Sequence, residues 1–91
     1  MLVIVAYDVT DDRRRSEIAS ELKNYGQRVQ RSIFECHLDR EHVAELQRVI
    51  GKHIDMEKDS VRYYYLCKKD VRNVDCLGIA VRYRDEDYFM V

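Results

Sequence analysis

The sequence predicts an α+β fold in which two helices cover one face of an antiparallel sheet. Three observations carry this. Residues 2–7, 27–38 and 61–67 are extended in character and rich in apolar and β-branched side chains. Two stretches between them, starting near Asp11 and Asp39, place apolar residues at helical spacing behind good N-cap residues. The middle extended stretch changes its apolar parity partway, which splits it into two strands.

In chain order, Leu2-Val3-Ile4-Val5-Ala6-Tyr7 is apolar on both faces and therefore reads as a central strand. Thr10 or Asp11 caps the first helix, expected over 11–25. Its buried face is Ile18, Ala19, Leu22 and Tyr25, and Gly26 supplies its stop. In 27–38, Val29 and Ile33 share one parity while Phe34, Cys36 and Leu38 share the other, so a bulge, bend or tight reversal is expected at 30–32. Asp39 caps a second helix that buries Val43, Leu46, Val49 and Ile50, with His53 at its margin, and ends between Ile50 and Ile54 beside Gly51. A charged loop over 55–59 leads to a tyrosine-rich strand. Beyond it the sequence predicts a loop over 68–75, a strand over 77–83, a turn at 85–87 and a short closing strand over 88–91. This is the ferredoxin-like βαββαβ arrangement with an additional C-terminal strand.

The 91 residues form a single expected domain, 1–91. A chain of this size buries only about 60–65% of its unfolded surface, so a partner chain helps it considerably. The sheet face without helices and a short apolar closing strand are both sticky if left bare. A symmetric homodimer, with the closing strand pairing with the partner subunit, covers them. Sixteen basic and 17 acidic side chains leave a net charge of −1, which excludes nucleic-acid binding through bulk charge and requires a local patch. No apolar run approaches the roughly 20 residues that span a bilayer, so no membrane association is expected, and the opening residues read as a strand rather than a leader. Three cysteines without a CxxC pair fit reduced thiols in a cytoplasmic protein. His37, His42 and His53 form no zinc pattern with them.

Asp8 is the most informative position. A carboxylate ending a hydrophobic strand suits Mg²⁺ or Mn²⁺, which prefer oxygen ligands; it also simply suits the start of a turn. A two-fold axis nearby supplies a second carboxylate from the partner. Arg13-Arg14-Arg15 follow in the first helical turns, and Arg28 and Arg31 flank the bend. They fit phosphodiester binding beside a metal; the first three equally fit a solvated helix face paired with Asp11, Asp12, Glu17 and Glu21. Phe34 suits base stacking, packing across a dimer, or the core. Among Tyr63, Tyr64 and Tyr65 at most two share the open sheet face, where they pack or stack on bases.

At this point the sequence resembles the small CRISPR-associated adaptation protein family, "CRISPR-associated protein two". The resemblance rests on Val5-Ala6-Tyr7-Asp8-Val9-Thr10-Asp11-Asp12-Arg13-Arg14-Arg15, on Tyr25-Gly26-Gln27-Arg28-Val29-Gln30-Arg31-Ser32-Ile33-Phe34-Glu35, and on Asp59-Ser60-Val61-Arg62-Tyr63-Tyr64-Tyr65-Leu66-Cys67. It implies a ferredoxin-like homodimer, a metal-dependent endonuclease acting on RNA or DNA, and a part in spacer acquisition during antiviral defence. By this resemblance Asp8 is the metal-binding and catalytic carboxylate. Tyr7, Arg15, Arg28 and Phe34 match positions linked with activity or nucleic-acid contact, and a larger integrase is the implied partner. Glu17 stands where some relatives have Arg, which removes a phosphate contact. Arg31 stands where many have Tyr, which adds one. The rival expectations are a non-catalytic dimeric DNA-binding scaffold for that integrase and a toxin ribonuclease of related architecture.

Overall fold

The computed structural model describes residues 1–66. The expected loop at 68–75, the strand over 77–83, the turn at 85–87 and the closing strand over 88–91 lie outside the described residues. The elements are β1 (Leu2–Asp8), α1 (Asp12–Leu22), β2 (Gly26–Gln30), β3 (Ile33–His37), α2 (Arg40–Gly51) and β4 (Ser60–Leu66). The sheet runs β2-β3-β1-β4, and every neighbouring pair is antiparallel. This is the ferredoxin-like βαββαβ topology, with β1 central among the described strands.

Strand periodicity divides β1 between two environments. Val3, Val5 and Tyr7 point toward the helices and are buried against Ile18 and Leu22 of α1, Leu46 and Ile50 of α2, and Phe34 and Cys36 of β3. Ile4, Ala6 and Asp8 point the other way, to the face that carries no helix among the described residues. Burial pushes the Cys36 thiol up to about 11, so it stays protonated and unreactive inside the core.

Helix α1 is capped by Asp11, whose carboxylate accepts the Arg14 N–H at 2.9 Å. It ends at Leu22 rather than near residue 25. The Asn24 and Tyr25 amides bond to carbonyls three residues back, at 3.0 and 2.9 Å, which tightens the exit and turns Tyr25 toward α2. There the Tyr25 hydroxyl donates to Glu45 at 2.6 Å. Gly26 is not the helix stop but the first residue of β2. A Cβ on it would lie 2.2 Å from the Glu35 carbonyl oxygen and 2.5 Å from Cys36 Sγ, so close strand approach is the reason for glycine here.

The parity change between β2 and β3 has two sources. The chain reverses at Arg31–Ser32, and Val29 is an extra residue between the Arg28↔Phe34 and Gln30↔Ile33 pairs. The turn is tied to β1 by the Tyr7 N–H, which donates to the Ser32 carbonyl at 3.0 Å. Helix α2 is capped by Asp39, which accepts from the His42 N–H at 2.8 Å, and it ends at Gly51. Val49 is half-buried instead of belonging to the core.

The charged segment before β4 is built around one acidic side chain. The Asp59 carboxylate has no solvent exposure. It accepts two bonds from the Arg14 guanidinium, at 2.8 and 3.1 Å, and a third from the Asp55 N–H at 2.8 Å. These bonds, the Arg14 fork foremost, hold its carboxyl below the ordinary carboxylate range. The pair bolts the start of α1 to the start of β4.

Candidate functional site

Tyr7 and Asp8 are consecutive strand residues, so their side chains leave β1 on opposite faces. The polar surfaces around them are correspondingly two, not one.

On the helix-bearing side, a pocket of about 340 Å³ opens between α1 and the β2–β3 hairpin. Arg15, Lys23, Arg28 and Arg31 bring four cations to its wall. Tyr7, Ser16 and Ser20 add hydroxyls, and no lining residue is acidic. Arg28 is supported from below: its guanidinium lies 5.4 Å from the centre of the Phe34 ring. Arg15 is steadied by the carbonyls of Val9 and Thr10, at 3.0 and 3.3 Å, and by Asp12. The Tyr7 hydroxyl lies 3.5 Å from the Arg31 carbonyl, a long contact that keeps the ring under the hairpin turn.

On the opposite side, a groove of about 330 Å³ runs between β1 and β4, lined by Ala6, Tyr7, Asp8, Ser60, Arg62 and Tyr64. Asp8 is exposed and pairs through its backbone with Ser60. Its carboxylate has no hydrogen-bond or ion-pair partner among the described residues. An exposed carboxylate whose oxygens are not taken up by protein donors fits a hard divalent ion that keeps most of its waters. Among the described residues no three His, Cys, Asp or Glu side chains come together as a metal cluster, so one chain offers a single acidic ligand.

The predicted site residues therefore separate. Tyr7, Arg15, Arg28 and Arg31 meet in one pocket, while Asp8 lies across the sheet from them. Phe34 is fully buried, so direct contact with nucleic acid is not its role in this structure; it packs in the core beneath Arg28. The arginine triplet does not gather around Asp8 either. Arg13 pairs with Glu17 at 3.5 Å on the surface, Arg14 is committed to Asp59, and Arg15 leans on Asp12. Tyr63 and Tyr65 fall on the helix side, paired with Val5 and Val3, and Tyr64 alone shares the open face. Burial pushes the Tyr63 hydroxyl up to about 12.

Sequence reasoning missed Lys23, Ser16 and Ser20, which the i, i+4, i+7 spacing of α1 aligns on one stripe. It also missed Ser60 and Arg62, which share the face of Asp8 once the β1–β4 register is known.

Fold and site together define a small ferredoxin-like α+β protein with a basic pocket on one side of its first strand and a lone carboxylate on the other. The family model described as CRISPR associated protein Cas2 matches residues 1–74. The chain belongs to that family. It is 46% identical over 77 residues to a CRISPR-associated endoribonuclease Cas2 of Synechocystis sp., covering 85% of this chain and 84% of the relative. It is 46% identical over 79 residues to a CRISPR-associated endonuclease Cas2 of Thermus thermophilus, covering 87% and 83%. The crystal structure of Streptococcus pyogenes Cas2 superposes with a TM-score of 0.77 at 36% identity, covering 86% of this chain and 100% of that one. Among the described residues no helix is long and apolar enough to cross a membrane.

Proposed function

We propose that the chain is a metal-dependent endonuclease that hydrolyses phosphodiester bonds in RNA or DNA. It works in the cytoplasm as a homodimer during spacer acquisition in CRISPR antiviral defence. The observation that carries this reading is Asp8: exposed, unpartnered among the described residues, and at the end of β1 on the helix-free face. The names of the similar proteins, endoribonuclease and endonuclease, support the reaction class.

Asp8 is the residue that would hold Mg²⁺ or Mn²⁺, together with its counterpart from the partner subunit. When bound, such an ion neutralises phosphate charge and lowers the pKa of a water. The chain's own residues do the rest. Arg15, Arg28, Arg31 and Lys23 bind backbone phosphates without reading bases, because their donors match phosphate oxygens. Phe34 keeps Arg28 in place.

Asp8→Ala is expected to abolish cleavage while leaving fold and dimer intact, and a chelator is expected to silence the wild type. Full cleavage by a rigorously purified Asp8→Ala protein overturns the assignment.

The separation of the basic pocket from Asp8 favours one second reading. The pocket needs nothing from Asp8 to bind a backbone, which suits a non-catalytic scaffold holding duplex DNA for a larger integrase. Spacer acquisition with Asp8→Ala distinguishes the two: loss supports hydrolysis, and retention supports the scaffold.

A further inference from the structure

The proposed homodimer covers the helix-free face with a second copy of the chain. Ile4, Ala6, Ile33 and Tyr64 make much of that face apolar. Covering it takes water away from whatever charges lie there, and two of those charges are neighbours. Asp8 pairs with Ser60, and Ala6 with Arg62. Paired residues of an antiparallel ladder project to the same side, so Arg62 stands one diagonal step from Asp8, about 7–8 Å between backbones.

Arg62 is the one Lys or Arg of this face among its described strand residues. It is exposed and has no ion-pair partner among the described residues, whereas Arg13, Arg14 and Arg15 each have a carboxylate. Asp8 is equally without a partner. Glu35, another carboxylate of the face, lies on β3, two strands away from β4. A guanidinium or a carboxylate that loses its water without gaining a counter-charge is strongly destabilising.

A two-fold interface presents the same patch from both sides. A patch that carried Asp8 alone would meet its own charge there, and like charges away from water repel strongly. A patch that carries Asp8 and Arg62 is self-complementary. The cations of the basic pocket cannot supply this compensation, because they lie across the sheet.

We infer that Arg62 is the counter-charge of the Asp8 pair, a positioning residue that neutralises the two carboxylates in the metal-free homodimer and competes with the divalent cation for them. Two guanidiniums offset two carboxylates, and one divalent cation supplies the same positive charge. Arg62 therefore lets the subunits associate without metal and sets the concentration at which the ion binds. This role rests on the proposed homodimer and on Asp8 as its metal ligand.

The test uses the full chain as wild type, Arg62→Gln, Arg62→Lys, Asp8→Asn and the Asp8→Asn, Arg62→Gln double variant. Self-association is measured by sedimentation equilibrium in EDTA and in Mn²⁺. Mn²⁺ binding is measured by titration calorimetry without nucleic acid, and Asp8→Asn reports any ion bound elsewhere. Arg62→Gln is expected to bind Mn²⁺ about tenfold more tightly than wild type, because a nearby cation no longer opposes the ion. Its homodimer should dissociate about tenfold more readily in EDTA and recover in Mn²⁺. Arg62→Lys keeps the charge and should stay near wild type in both. In the Asp8→Asn background, Arg62→Gln should no longer weaken the homodimer, since the repulsion it offsets is gone.

A gain in Mn²⁺ affinity does not arise from a damaged fold, which separates this role from simple packing. Equal or weaker Mn²⁺ binding by Arg62→Gln, beside a wild type that binds the ion, overturns the inference. A wild type that takes up no Mn²⁺, yet whose EDTA homodimer is weakened by Arg62→Gln only when Asp8 is present, defeats the metal reading and leaves the counter-charge standing. A wild type that is monomeric in both EDTA and Mn²⁺ overturns the homodimer reading and this role with it.

Discussion

The two polar surfaces on either side of β1 are alike in volume and opposite in construction. The pocket on the helix side gathers four cations and braces two of them: Arg28 against the Phe34 ring, and Arg15 by two carbonyls and Asp12. The groove on the open side sets one carboxylate near one guanidinium and leaves both without a partner among the described residues. A braced, single-sign surface suits grip on a polyanion, because its charges add. A sparse surface of mixed sign suits chemistry, because its groups remain available. The difference teaches that holding a backbone and acting on it need not share a wall, even in a chain this short.

The strongest way to break this comparison is Asp8→Ala. Cleavage should fall by more than about 100-fold, as several kcal/mol of charge stabilisation are lost. The Kd for nucleic acid should stay within about twofold. A matching loss of binding would show that the two surfaces do not divide the labour. The complementary change, Arg28→Gln with Arg31→Gln, should weaken binding about 10- to 100-fold and lower the salt slope by nearly two on duplex DNA. Single-turnover cleavage at saturating protein should change little.

Gly26→Ala sharpens the contrast through stability. Its Cβ would enter the space of the Glu35 carbonyl and Cys36 Sγ, so β2 must shift. A cost of about 1–3 kcal/mol is expected, read as a lower urea midpoint. Because β2 carries Arg28, the variant should lose affinity before it loses the Asp8 groove.

Asp59→Asn tests the brace behind the groove. The folded carboxyl sits below the ordinary range because Arg14 and the Asp55 amide bond its charged form. Its stabilisation is complete above about pH 4 and disappears as pH falls through the folded value. The variant should melt lower at neutral pH and show a flatter acid limb below about pH 4. At the small end, Arg13→Ala removes an exposed pair with Glu17 and should move stability by no more than about 0.5 kcal/mol.

What was legible in the sequence was local. Asp11 and Asp39 announce their helices because capping depends on neighbours three residues away. The break before Ser32 is visible because parity is a short-range pattern. What was not legible depends on distant pairings. The reason for Gly26 lies in β3, not in the helix it follows. The 45-residue separation of Arg14 and Asp59 hides the one interaction that takes Arg14 out of a basic cluster. The bulge at Val29 is what turns Arg28 to the helix side, and no composition signal predicts which residue bulges. Phe34 had three plausible homes, and only the packing of β3 beneath α1 chooses the core. The carboxylate at Asp8 is readable as an available ligand, but its separation from the arginines required the β2–β3 register that turns Arg28 to the helix side.

The adjacency of Tyr7 and Asp8 has a consequence for how this protein tolerates change. Assignment of residues to the two surfaces works like a reading frame with a period of two. A substitution within β1 alters one side chain. Inserting or deleting one residue between Leu2 and Tyr7 exchanges the faces, driving Asp8 toward the apolar interior and Tyr7 into the open. The strand should therefore be far more permissive of spelling errors than of frame shifts, and length variation in this protein belongs in its turns.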